Sequence, residues 1–583
     1  MDKDSKNVDV LSEPFEIVDI QESNRPADSL VHRFASSFKK QENVELEDVN
    51  LTQMNKEQRQ NYNLAHQSLH KTLSERHLTM IAIGGTLGTG LFIGIGYSLA
   101  SGPGSLLLGF SIVGLMMFCV VQSAAEMACQ YPVAGSFAMH VSRFVEPSLG
   151  FAVATSYVLL WLVSLPSELI GCAMTIRYWN NSVNPAVWVA IFYVLIMFLN
   201  LFGARGFGET EFWLSLFKVL AVIIFIIIGI VLICGGGPHS DGYIGARYWH
   251  NPGSFAKPVF KGICSTFVSA AYSFSGTELV VLTASESRNV ESVSRAAKGT
   301  FWRITIFYIV TVVVIGCLVP YTNENLLGGS NGEDVSASPF VIALKNQGSM
   351  GKSVSNFMNL VILISVFSVC NSSVYASSRI IQALGACGQL PRACAYVDKK
   401  GRPLVGIAVC GAFGLLGFIA SSESQDKVFT WLFALCSIAI FFTWLCISAA
   451  HVRYRMALRA HGRSTSEIVN KSLFGIYGAI LGVVLNALLI IGEIYVSIFP
   501  LGKKPSAENF FENCLSIPII MAVYLVHKVF FNKEKRLMIP LDQVDLDIGR
   551  RMERNELLEE EYHEAESGHT KVPLHRKLYR VFC

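Results

Sequence analysis

Long apolar runs alternate with short polar stretches along this chain, and the alternation predicts about twelve membrane-crossing helices. They fall near 78–99, 105–128, 151–176, 186–202, 212–234, 260–284, 300–320, 354–385, 404–421, 427–450, 474–499 and 514–531. Each run approaches the roughly 20 residues that a bilayer requires. Polar stretches rich in Asp, Glu, Asn, Gln and Ser flank the apolar body. The expected organisation is a disordered tail over 1–76, a membrane domain over 77–531 and a polar C-terminal tail over 532–583. An even number of crossings puts both tails on one side. The loops on that side carry more Lys and Arg than those opposite, and the loop from His451 to Lys471 alone holds Arg453, Arg455, Arg459, Arg463 and Lys471. The positive-inside rule makes that side cytosolic. The first apolar run starts near residue 78, so no cleavable signal peptide is expected.

Two of these runs are interrupted. The first contains Gly84-Gly85-Thr86-Leu87-Gly88-Thr89-Gly90, where each glycine costs about 1 kcal/mol relative to alanine in a helix. Unwound backbone at membrane depth is tolerated only where it is buried in protein or lines a cavity. The glycines also fit a plainer role, close helix packing, since Gly84 and Gly88, and Gly90 and Gly94, have small-residue spacing. The sixth run contains Ser273-Phe274-Ser275-Gly276-Thr277-Glu278. Interrupted runs in corresponding positions, five apart, point to a transporter of two inverted five-helix repeats with its site at the midplane. Such a break exposes N–H groups that suit an anion and carbonyls that suit a cation. An amino acid, with both charges on one carbon, matches it.

Composition narrows the class. The chain has 583 residues, 51% hydrophobic and 16% charged, which excludes an ordinary soluble domain and fits an all-α polytopic membrane protein. The 14 cysteines have no paired or metal-ligand spacing, so packing is their expected role and no metal or other cofactor is expected. No nucleophile–base pair stands out, so an enzyme is not expected, and nothing indicates nucleic acid. Asn180-Asn181-Ser182 matches a glycosylation sequon in a short external loop.

The run Ile81-Ala82-Ile83-Gly84-Gly85-Thr86-Leu87-Gly88-Thr89-Gly90-Leu91-Phe92-Ile93-Gly94 resembles the first-span signature of the fungal amino acid permeases, within the amino acid–polyamine–organocation superfamily. Phe274 to Leu279 resembles the sixth-span motif. Leu165-Pro166-Ser167-Glu168-Leu169, and Glu211-Phe212-Trp213 with Lys218, resemble the third and fifth spans, and Phe582-Cys583 resembles the aromatic-Cys ending, with Val581 or Phe582 where Trp is usual. Within the family, Val121 to Glu126 and Asp334 to Phe340 resemble the group that carries S-methylmethionine. The resemblance implies a fold of twelve helices: two inverted five-helix repeats with helices 1 and 6 broken, then two C-terminal helices. It also implies proton-coupled uptake across the plasma membrane by alternating access, after passage through the endoplasmic reticulum and endosomes.

The same resemblance assigns roles. Thr89 and Gly90, with Gly88 allowing close approach, would grip the substrate carboxylate. Carbonyls at Gly85, Thr86, Phe274 and Ser275 would take the ammonium, with Gly276 completing the second break. Tyr272 and Phe274 would close over the substrate, where a ring facing an ammonium or sulfonium adds about 0.5–2 kcal/mol; ordinary core packing is the plainer role for both. Lys218, about two turns into the fifth run, is costly at that depth and so marks function. In similar members a lysine here faces the first break and carries the coupling proton, although a lysine stem can also reach back to water. Glu168 is expected to share the proton or to face Arg177 or Lys218. Glu278 is a helix-start carboxylate or a proton site. Glu126 and Tyr131 to Ser136 read as gating structure, and Asn371, Ser372, Ser373, Ser377 and Ser378 as hydroxyl links between helices. Lys3, Lys6, Lys39 and Lys40 would meet ubiquitin-ligase machinery, and Cys583 would be palmitoylated. The alternatives are a permease for another neutral or dicarboxylic amino acid, and a permease-like nutrient receptor that transports little.

Overall fold

Proline and its neighbours start several of the long helices. In this computed structural model the described residues are 37–39, 69–85, 87–180, 182–236, 242–323, 326, 338–345, 348–421, 425–501, 504–532 and 536–550. Pro103, Pro147 and Pro185 each occupy the first turn of a helix, where the missing N–H costs nothing. Asn184 caps the third of these by accepting from Ala186 N at 2.9 Å.

The helices that carry the argument follow in chain order. Span 1 is split into α1 (Glu75–Gly84) and α2 (Gly90–Leu99), α2 beginning with a π-turn. Next come α3 (Pro103–Gln130), the short α4 (Ser136–Phe144), α5 (Pro147–Arg177), α6 (Pro185–Asn200) and α7 (Gly203–Ile233). Span 6 is split into α8 (Val259–Phe274) and α9 (Leu279–Leu282), the latter extended by a 3₁₀ turn to Glu286. Then come α10 (Glu291–Leu318), with a π-helical stretch at Ile304–Val310, α11 (Pro339–Lys345) and α12 (Gly348–Ala386). The last are α13 (Leu404–Gly414), α14 (Gln425–Ala460), α15 (Gly475–Ile498) and α16 (Ser516–Val526). Among the described residues there is no strand, only one isolated bridge between Leu73 and Ser287.

Among the described residues seven helices are long and apolar enough to cross a membrane, and four shorter apolar ones have 10–17 residues. The extremes run in opposite directions: span 6, the least apolar of the seven, has 89% of its apolar stretch buried, whereas α7, the most apolar, has 33%. In lipid this is the expected order: polar and irregular backbone goes inside, and leucine and isoleucine face the hydrocarbon. The two breaks therefore lie at the centre of the bundle.

Stretches assigned to the tails by sequence also touch the body. Leu73 is fully buried, and its backbone pairs with Glu286 and Arg288. The carbonyl of Lys39 accepts from Lys399 N at 3.0 Å. Near the other end, Leu546 O accepts from Tyr131 Oη at 2.9 Å and Asp545 O from Arg143 Nε at 2.8 Å. Thr86, Asn181, Lys3, Lys6, Lys40, Cys583 and the 334–337 part of the loop motif lie outside the described residues.

Candidate functional site

The glycine run breaks span 1 between Gly85 and Thr89. The regular i to i−4 bonding of α1 ends with Gly85 N on Ile81 O at 3.1 Å; a single turn bond follows, Leu87 N on Gly84 O at 3.0 Å, and bonding resumes with Leu91 N and Phe92 N on Gly88 O at 3.1 and 3.2 Å. Gly90 also satisfies the packing alternative, since a Cβ there would stand 2.5 Å from Ser273 Cα on α8. Close approach and interruption are thus one feature. In span 6, α8 stops at Phe274, Ser275 is extended, and Gly276 turns the chain with φ +87°, a conformation that glycine adopts without penalty.

A small cavity of about 20 Å³ lies between the breaks, lined by Gly88, Thr89, Gly90, Leu160, Trp161, Ser164, Tyr272, Ser275 and Val369. That is space for roughly one water, so this conformation is closed around the site. Glu168 on α5 is fully buried beside it. It accepts from the Thr89 hydroxyl and from Tyr272 Oη at 2.8 Å, so one carboxylate links both broken spans. It bonds neither Arg177 nor Lys218 among the bonds of the described residues.

Glu278 sits on the other side of the span 6 break. Its carboxylate accepts from Gly276 N at 3.2 Å, Tyr157 Oη at 3.1 Å and Trp444 Nε1 at 3.2 Å. The carboxylate thus holds the turn at Gly276 and ties it to α5 and α14, and it makes no side-chain cap bond to the first amides of α9. Phe274 does not line the cavity. Its ring packs on Phe110 and Tyr308, with centroids 5.9 and 4.4 Å away.

Lys218 belongs to a second polar cluster between α7 and α12. Its Nζ donates to Ser368 Oγ at 2.9 Å and lies 3.4 Å from Glu211 Oε1. Glu211 accepts further bonds from Ser215 at 3.0 Å and Ser368 at 2.7 Å. The lysine is fully buried, which excludes snorkelling in this conformation. Ser215 packs on Gly84, and Ser368 precedes the cavity residue Val369. The cluster therefore borders the break without entering the cavity.

Other polar groups close the ends of the bundle. Glu286 accepts from Tyr375 Oη at 2.5 Å and Arg379 Nε at 3.2 Å. Glu126 lies 2.9 Å from His451 Nε2 and 2.6 Å from Arg455 Nη2. Of the polar residues expected to link helices, Asn371 accepts from Asn200 on α6 at 3.0 Å and Ser377 meets Cys410 Sγ on α13 at 2.8 Å; Ser373 and Ser378 instead bond carbonyls of their own helix α12, because a serine hydroxyl reaches the carbonyl three or four residues back.

Sequence reasoning missed Trp161, Glu211 as the lysine's partner, and Arg303. Trp161 is seven residues before Glu168, and Glu211 seven before Lys218. Both spacings are two helical turns and could have been read as one face. Arg303 is fully buried in α10 and bonds Ala82 O and Thr277 Oγ1. Its partners are remote in sequence, so nothing local marks it.

Comparison with known proteins identifies the family. The family model described as amino acid permease matches residues 77–539. An S-adenosylmethionine permease of Saccharomyces cerevisiae is 62% identical, covering 98% of this chain and 98% of its own length. The S-methylmethionine permease 1 of the same yeast is 60% identical over 95% of each chain. An S-adenosylmethionine permease of Candida albicans is 47% identical over 94% of this chain and 90% of its own.

Proposed function

We propose that this chain, which belongs to the amino acid permease family, carries a sulfonium amino acid inward across the plasma membrane together with protons. It is a multi-pass helical membrane transporter and not an enzyme. S-methylmethionine is our first substrate. S-adenosylmethionine is the second reading, favoured by the names of two similar permeases. Twelve crossings, in two inverted five-helix repeats plus two helices, with both tails cytosolic, complete the architecture.

The observation that carries the substrate reading is the wall of the cavity. Trp161 and Tyr272 line it, and Glu168 stands behind Thr89 and Tyr272. A sulfonium keeps its positive charge at every pH. Aromatic rings and a carboxylate held, among the described residues, by neutral hydroxyls suit such a charge. The substrate carboxylate would take the first amides of α2, at Thr89 and Gly90. Its ammonium would take carbonyls at Gly85, Thr86 and Ser275, sharing that of Phe274, which already accepts from Thr277 Oγ1 at 2.6 Å.

A cavity of about 20 Å³ cannot hold either substrate, so binding requires the halves of the bundle to part. Opening and closing around a midplane site is alternating access. Lys218, with Glu211 beside it, is the proposed proton carrier, and Glu168 and Glu278 are secondary proton sites. Lys218 borders the break through Ser215, so a change in its charge reaches α1 without occupying the substrate's place.

The test is uptake of radiolabelled S-methylmethionine in cells without their own amino acid permeases. Unlabelled S-adenosylmethionine, leucine, glutamate and lysine serve as competitors. Saturable uptake that only the two sulfonium compounds block is expected. Block by leucine or glutamate would sink the substrate reading. No uptake of any amino acid, with the protein at the surface, would favour a receptor.

A further inference from the structure

Most buried cations of this bundle face a carboxylate. Lys218 has Glu211, Arg379 has Glu286 and Arg402 has Asp398. Arg303 is as deeply buried, yet it makes no ion pair among the described residues. Its Nη1 donates to Ala82 O, and its Nη2 to Thr277 Oγ1 at 2.6 Å. Its Nε has no partner among the described residues.

The two acceptors share a physical character. Ala82 is in the last turn of α1, whose continuation the glycine break removes. Thr277 passes the contact on, donating its own hydroxyl to Phe274 O, the last residue of α8, at 2.6 Å. Arg303 thus reaches two helix C-termini, Ala82 O directly and Phe274 O through the Thr277 hydroxyl, and at such ends unmatched carbonyls concentrate partial negative charge. In broken-helix transporters such ends coordinate a coupling cation. Here a guanidinium occupies the place. Only a planar fork with separate donors can reach two acceptors on different spans at once, so lysine is a poor replacement.

The geometry points to Arg303 as a positioning residue for transport, the buried strut that holds α1 against the break of span 6 while the cytosolic exit is closed. This rests on the transport reading above, with α1 on the cytosolic side. The charged side-chain pairs of α1 with its neighbours lie nearer the surface: Arg76 with Glu209 and Glu75 with Arg295, whose side chains are about a third to three-fifths exposed and contribute little; buried His77 also meets Glu209, and Gly84 packs on Ser215, but both of these hold α1 to α7 and not to span 6. A buried cation that loses half of its acceptors is poorly stabilised. Parting α1 from span 6 is therefore an all-or-none event, and the two breaks move together. The substrate bridges both breaks on the cavity side, and Arg303 bridges them on the other.

The strut is tested by the sidedness of affinity. A weaker strut favours the inward-open state, so the outward site is populated less and its apparent affinity falls in proportion. With radiolabelled S-methylmethionine, external KM is measured from initial uptake and internal KM from efflux of preloaded cells. Arg303→Lys is expected to raise external KM about tenfold and to lower internal KM. Thr277→Val, which removes one acceptor, shifts both the same way by less. If Vmax and surface amount fall together with both KM values unchanged, Arg303 is only structural and the inference fails. If both KM values rise together, Arg303 senses the substrate directly and the inference also fails. Should Arg303→Lys not reach the surface, Thr277→Val decides by the same readings. Wild-type failure to take up the probe would instead sink the substrate reading; the variants are then measured with the amino acid that the wild type does carry.

Discussion

Two fully buried carboxylates lie on either side of the span 1 break, and they are held differently. Glu168 is bonded by neutral hydroxyls, from Thr89 and Tyr272, and stands at a cavity. Glu211 is bonded by a cation, Lys218, and by Ser215 and Ser368, and lines no cavity among those described. A buried charge needs a counter-charge or strong hydrogen bonds. The Glu211 cluster is complete within the protein, and in the proposed function it changes state when a proton moves. Among the described residues the Glu168 cluster holds no positive charge, and in the proposed function a cationic substrate would supply it. On that reading one region is completed by a ligand and the other is switched.

The largest expected effect separates them by stability. Glu211→Gln leaves Lys218 buried without its counter-charge, and purified protein should lose about 3–5 kcal/mol of stability. Adding Lys218→Met to that variant should restore most of the loss. A thermal-unfolding series checks both, and an undiminished melting temperature in Glu211→Gln would erase the distinction. Next comes the close approach at the break. Gly90→Val places carbon into Ser273 backbone, and uptake should fall about a hundredfold with surface amount retained, because misplacing reacting geometry by an ångström costs that much.

Acid must be controlled for, since proton coupling is measured at low pH. His140 on α4, outside the spans, is buried, and burial pushes its imidazole down from 6.5 to about 4, against a raising hydrogen bond with Tyr131 O and with help from the Arg143 charge. The unfolded chain therefore takes up the proton first. The stability contribution is whole above pH 6.5 and is lost as pH falls toward 4. At pH 5 the loss is about 2 kcal/mol, and His140→Gln should flatten that part of the pH–stability curve in detergent. The smallest effect is on affinity. Glu168→Gln removes the negative charge but keeps an acceptor, so KM for S-methylmethionine should rise about tenfold while stability changes little. Equal KM in wild type and variant would show that Glu168 is not the substrate's counter-charge.

Both breaks were legible in the sequence because interrupted apolar runs recur five apart, which close packing alone does not require. Lys218 and Glu168 were legible because charged groups at membrane depth are costly, and Thr89 and Tyr272 because of the resemblance to the permease motifs. What holds each of them was not. Ser368 reaches Lys218 from 150 residues away and Arg303 reaches Ala82 from 221, and no local pattern encodes such pairs. Phe274 illustrates the converse. Its position beside a break suggested a lid, but its ring is fully buried on the side of Phe110 and Tyr308, because a residue ending a helix can point to either wall.

The division between a ligand-completed and a proton-switched region is tested most directly by Lys218→Met, assayed for accumulation and for exchange of S-methylmethionine at pH 5 and pH 7. The expected result is loss of acid-driven accumulation, at least tenfold, with exchange across the membrane and KM near wild type. Acid-driven accumulation that survives the substitution would contradict it.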